Sequence, residues 1–132
     1  MTINITADVV REGLTALVEQ AGEDFVYVAP EPPENGYKRC LYVRDGKPDC
    51  IVGQFLANLG VPVDRLTEAD NGTNLSGTPA GILLRELYAE GVVNFDLGVS
   101  AALGTAQAWQ DSGSTWGNSV ESALSYLDSI RD

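Results

Sequence analysis

Apolar residues fall at helical spacing from the start of the chain: Val9, Val10, Leu14, Leu17, Val18 and Ala21 share one face. Thr6 is a good cap ahead of them, Ile5 and Val10 are placed for a hydrophobic staple, and Gly22 supplies a stop. The pattern predicts a helix over about residues 7 to 21. It then changes period. Phe25-Val-Tyr-Val-Ala29 and Cys40-Leu-Tyr-Val43 are rich in aromatic and β-branched residues and read as two short strands. Pro30, Pro32, Pro33, Asn35 and Gly36 make the stretch between them a loop, across which the strands are expected to pair antiparallel. Arg44-Asp-Gly-Lys47 is the turn that ends the second strand.

Helical spacing returns with Ile51, Val52, Phe55, Leu56 and Leu59, capped by Asp49 and ended by Gly60. Val61-Pro-Val-Asp64 predicts a turn, and the polar, glycine-bearing stretch from Thr67 to Gly77 a surface loop. Thr78 followed by Pro79 opens a third helix, with Pro79 at its first position and Ile82, Leu83, Leu84, Leu87 and Tyr88 facing inward up to Gly91. Asp96 caps a fourth, with Val99, Leu103, Ala106 and Trp109 on one stripe. Its small residues, Gly98 to Gly104 among them, permit close approach of a neighbour. After a break at 111–114, Ser114 or Thr115 caps a last helix with Trp116, Val120, Ala123, Leu124, Leu127 and Ile130 inward. The expected fold is α+β and mainly helical, with about five helices and one short antiparallel β-hairpin, in a single domain spanning residues 1–132.

Composition agrees with a packed domain: 44% of residues are hydrophobic and 20% charged. Net charge is −11 and the pI about 4.2, so a phosphate backbone or an acidic membrane is repelled over most of the surface, and neither direct nucleic-acid nor membrane contact is expected. The N-terminus has no basic start followed by an apolar stretch of signal length, and no apolar run reaches the roughly 20 residues of a membrane span. A cytoplasmic setting is the expectation, with Cys40 and Cys50 reduced.

The chain contains no histidine, which excludes an imidazole base, a Ser-His or Cys-His pair and a histidine metal ligand. Two cysteines do not complete a structural zinc site, and no phosphate loop, dinucleotide turn or EF-hand spacing occurs. No metal or cofactor and no catalytic residue is expected. Glu19, Glu23 and Asp24, or Asp64, Glu68 and Asp70, are carboxylates close enough in sequence for acid–base work, although such runs are usually solvated faces. Cys50, in the first turn of its helix, is either a thiolate favoured by the helix dipole or a small buried apolar group.

One basic spot stands out: Lys38, Arg39, Arg44 and Lys47 hold four of the eight basic residues within ten positions. Converging, they make a candidate ligand-binding site for a small nucleotide-like anion, with Tyr42 or Trp116 stacking on it. On a hairpin they instead alternate to solvent, partly paired with Asp45 and Asp49. Trp109 and Trp116 bracket a corner between the last two helices and either anchor a partner or close the core.

Cys40-x-Tyr42-Val43-x-Asp45-Gly46-x-Pro48-x-Cys50-x-Val52-Gly53, then Leu59-Gly60-Val61, then Ala106-Gln107 with Gln110-Asp111-x-Gly113-x-x-Trp116-Gly117, resemble an uncharacterised family of small actinobacterial and actinobacteriophage proteins. The resemblance covers roughly residues 37 to 120. It implies a cytosolic setting, including a phage-infected host, and transfers no activity and no site residue. The expectation from these readings together is a small non-enzymatic binding protein, possible in phage, that engages a host protein as a monomer or homodimer. Sequestration of a nucleotide-like anion and acidic mimicry of nucleic acid are the alternatives.

Overall fold

Helix α1 (Ala7–Ala21) starts and stops where its sequence predicts. Thr6 is extended (φ −92°, ψ 170°) and its hydroxyl accepts from Val9 N at 3.1 Å, while Gly22, at φ 100°, donates its N–H to Val18 O at 2.7 Å. Val10, Leu14 and Leu17 are buried; Val9 and Val18 are only partly so. The computed structural model describes residues 2–28, 41–70 and 79–130. Within them the fold is α+β and mainly helical. Five more helices follow: α2 (Ile51–Leu59), α3 (Val63–Asp70), α4 (Ala80–Ala89), α5 (Val99–Asp111) and α6 (Trp116–Ser129).

The antiparallel pair differs in place from the expected hairpin. It joins β2 (Val43–Arg44) to β3 (Lys47–Pro48) around Asp45 and Gly46, whose φ values of 54° and 79° make the tight turn that Asp-Gly favours. The turn expected to end a strand thus lies between two. Residues Phe25 to Val28 form no strand, and Ala29 and Cys40 lie outside the described residues. Tyr27 is instead turned inward by its hydroxyl, as described below. A second, parallel pair was not anticipated: β1 (Ile3–Ile5) lies beside β4 (Val93–Phe95), with Ile3 opposite Val93 and Ile5 opposite Phe95. Three residues per strand are too few to show a period. Ile5 and Val93 are buried and Asn4 and Asn94 exposed, so the alternation appears only once the strands are paired.

Other differences are local. Helix α3 replaces the start of the expected surface loop: the carbonyl of Pro62 accepts from Arg65 N and Leu66 N, and Leu66, Ala69 and Asp70 turn inward. Cys50 rather than Asp49 is the N-cap of α2, and Gly98 rather than Asp96 that of α5. Pro79 stands at the N-cap of α4 instead of its first helical position, and Thr78 lies outside the described residues. Ile82, Tyr88 and Trp109 are exposed by 44%, 58% and 44%, so each sits at the rim of its expected buried face. Thr115 caps α6 as expected, accepting from Asn118 N at 3.1 Å.

One apolar cluster joins the six helices with β1, β2 and β4. Phe55 and Leu56 of α2, Leu83, Leu84 and Leu87 of α4, Leu103 of α5 and Leu14 and Leu17 of α1 are all at or below 1% exposure. The small residues of α5 let it pack closely on α6, with Ala102 and Ala106 fully buried. Helix α6 also lies along α1, the N-terminal end of one beside the C-terminal end of the other: Arg11 pairs with Asp128, and Gly117 N donates to Glu23 O at 3.0 Å.

Candidate functional site

The segment around the basic spot folds about a buried ring. Tyr42 is 2% exposed, and its hydroxyl accepts from Gln107 Nε2 at 3.0 Å. The backbone N–H groups of Tyr42 and Val43 donate to the two carboxylate oxygens of buried Asp70, at 2.8 and 3.0 Å. Asp70 therefore ties the end of α3 to the hairpin, a role its place in a polar run did not announce.

Arg44 points back toward the chain that follows α1. Its guanidinium donates to Val28 O at 2.8 Å and to the Tyr27 hydroxyl at 3.2 Å, and its Nε lies 2.9 Å from Asp49 Oδ2. The Tyr27 hydroxyl in turn donates to Asp49 Oδ2 at 2.6 Å and accepts from Leu41 N at 3.1 Å. Burial, reinforced by the bond to the Asp49 carboxylate, pushes the Tyr27 phenol well above its ordinary range. The Arg44 guanidinium is raised in turn, chiefly by its bond to Tyr27. Lys47 is exposed on β3, and Lys38 and Arg39 lie outside the described residues. Of the proposed anion site, the structure thus places Tyr42 in the core and Arg44 in a half-buried cluster with Tyr27 and Asp49.

Trp116 is 1% exposed, so its ring offers no open stacking face. The ring packs edge-on against that of Phe25 (centroids 4.7 Å apart), and the backbone N–H of Trp116 donates to Phe25 O at 2.8 Å. Cys50 is fully buried. Gln110, also buried, accepts from Ile51 N at 2.8 Å and so caps α2 from α5; Gln107, one turn earlier, accepts from Ala80 N at 2.9 Å and caps α4. Gln107 and Gln110 thus join α5 to the starts of α4 and α2. Among the described residues no group of three or more Cys, Asp or Glu is arranged to hold a metal ion, and no helix is long and apolar enough to cross a membrane.

Open concave surface is found elsewhere, between α1 and α6. A hollow of about 390 Å³ has Val18, Val120 and Leu124 at its floor, with Arg11, Thr15, Glu23, Glu121, Ser125 and Asp128 around them. A second, shallow hollow of about 360 Å³ adjoins it at Arg11 and Thr15 and is lined by α1 alone, with Glu12, Ala16 and Glu19. A third, of about 230 Å³, continues it past Glu23, Gly117 and Glu121 to Asp24 and Asn118. Shared residues join the first and third into one furrow, and the second borders it on α1. Six carboxylates line or border the furrow, Glu23, Asp24, Glu121 and Asp128 within it and Glu12 and Glu19 beside it on α1, against the single guanidinium of Arg11. Arg11 is already paired with Asp128; the other five carboxylates have no ion-pair partner among the described residues.

Sequence reasoning read Glu19, Glu23 and Asp24 as a solvated face and Val18 and Leu124 as core. The signal was an apolar stripe on each helix wider than the core covers, which leaves Val18 and Leu124 only partly buried. No family model, curated protein or solved structure matches this chain.

Proposed function

We propose that the protein is a small non-enzymatic binding protein that engages a protein partner through the furrow between α1 and α6. The observation that carries this reading is the furrow itself: a floor of Val18, Val120 and Leu124 flanked by carboxylates of which all but Asp128 have no ion-pair partner among the described residues. Concave apolar surface with a charged rim is what a protein partner covers. The resemblance to phage-encoded proteins makes a host protein the expected partner. Sequestration of an anion is the weaker reading, because Arg44 is spent on Asp49, Tyr27 and Val28, while Tyr42 and Trp116 are buried.

The test is affinity purification with the immobilised full chain, comparing it with a Thr15→Arg/Ser125→Arg variant. Both positions are exposed, so the variant fills the furrow without touching the core. A protein retained by the parent and lost by the variant supports the reading. Absence of any specific partner at any salt concentration removes it.

A further inference from the structure

We infer that the furrow between α1 and α6 receives a basic amphipathic helix of a partner protein; this rests on the reading above and names the partner's chemistry. The inference starts from shape. Both walls are helices, whose backbone N–H and C=O groups are paired within themselves, so an extended peptide lying there would find no partners for its own backbone. A helix arrives with its backbone already satisfied and packs its side-chain ridges against those of α1 and α6. The length agrees. Helix α1 has 15 residues, about 22 Å at the helical rise, which accommodates a partner helix of about 15 residues.

Charge selects among helices. Glu12 and Glu19 stand along α1, Glu23 and Asp24 just beyond its end, and Glu121 on α6, all exposed and none ion-paired among the described residues. The furrow thus carries much of the chain's −11 charge on the two sides of an apolar floor. A helix with Leu-type residues on one face and Lys or Arg on its flanks places the first on Val18, Val120 and Leu124 and the second against the carboxylates. An acidic or purely polar helix meets repulsion or leaves the floor wet.

The experiment uses a fluorescent synthetic Leu/Lys amphipathic helix of about 18 residues, a scrambled isomer of the same composition and a Leu/Glu counterpart, each titrated against the full chain by anisotropy. Two charge-reversal variants with the same change in net charge separate the furrow from the overall field: Glu23→Lys/Glu121→Lys, and Asp64→Lys/Glu68→Lys on exposed positions of α3. The expected result is binding of the Leu/Lys helix only, weakened at least ~10-fold by the furrow variant and changed by less than about twofold by the α3 variant. Amide shifts on the unmodified protein are expected at Thr15, Val18, Gly117 and Ser125, which keeps the test valid if a variant unfolds. Equal weakening by both variants, equal binding of the scrambled isomer, shifts confined to other surfaces or no binding at low salt would each overturn the inference. If the Leu/Lys helix fails while a cellular protein is still lost on Thr15→Arg/Ser125→Arg, the partner chemistry is wrong but the protein-binding reading stands.

Discussion

Single atoms decide several positions in this protein. A methyl group added at Gly53 would stand 2.3 Å from the carbonyl oxygen of Tyr42, a backbone atom held in place by the hairpin and unable to step aside. Gly53→Ala is therefore expected to lower stability by at least the roughly 1–3 kcal/mol typical of overpacking. At Gly104, within α5, nothing lies within 4 Å of the same methyl, and Gly104→Ala is expected to raise stability by about 0.5–1 kcal/mol through helix propensity. Urea denaturation of the two variants should show midpoints displaced in opposite directions. Cys50 gives a chemical counterpart. Its side chain is fully buried, so iodoacetamide should leave it unmodified in the native, reduced protein and alkylate it once urea unfolds the chain, as peptide mass spectrometry would report. Rapid native labelling would mean that the first turn of α2 opens on its own.

Among elements, the joints are made by side chains that reach from one helix to the end of another. Gln110 and Gln107 on α5 supply acceptors to the first N–H groups of α2 and α4, which their own N-caps, Cys50 and Pro79, leave without a side-chain bond. Gln110→Ala strands the buried N–H of Ile51 and is expected to cost about 1–3 kcal/mol, with faster amide exchange concentrated in the first turn of α2. A loss spread evenly over the molecule would argue that Gln110 acts only by filling space. The helices with local signals were legible: α1 and α6 carry Thr caps that bond within three residues, and their bounds agree with the pattern. The joints were not, because Ile51 lies 59 residues from Gln110 and Tyr42 28 residues from Asp70. Nothing in a local window tells a glutamine that caps a distant helix from one that faces water.

At the scale of the whole molecule, charge shapes both stability and surface. Arg65 of α3 donates to both oxygens of Glu90, at 2.8 and 2.7 Å, and to Glu86 at 3.2 Å, fastening α3 to the end of α4. The bond to Arg65 holds the Glu90 carboxyl below its usual range. A carboxyl depressed in the folded state adds stability above its unfolded pKa and loses it as pH falls through the folded value. Glu90→Gln is thus expected to be less stable than the parent at neutral pH, by under about 1 kcal/mol because the pair is exposed, and to converge with it in acid. Thermal melts from neutral pH down to about pH 3 would show the gap closing. A gap that widens in acid would refute the assignment.

Periodicity and composition by themselves determined the helices with their own caps, the mainly helical α+β class and the acidic, histidine-free chemistry. These depend on residues close together or on totals, and both survive any rearrangement of the chain in space. Tertiary structure alone decided that Val43–Arg44 pairs with Lys47–Pro48, that Ile3–Ile5 lies beside Val93–Phe95, and that Tyr42 and Asp70 are interior. It also decided that carboxylates distant in sequence, on α1 and α6, line one furrow. The physical reason is common to all of these: pairing, burial and field arise between groups that only the packed chain brings together.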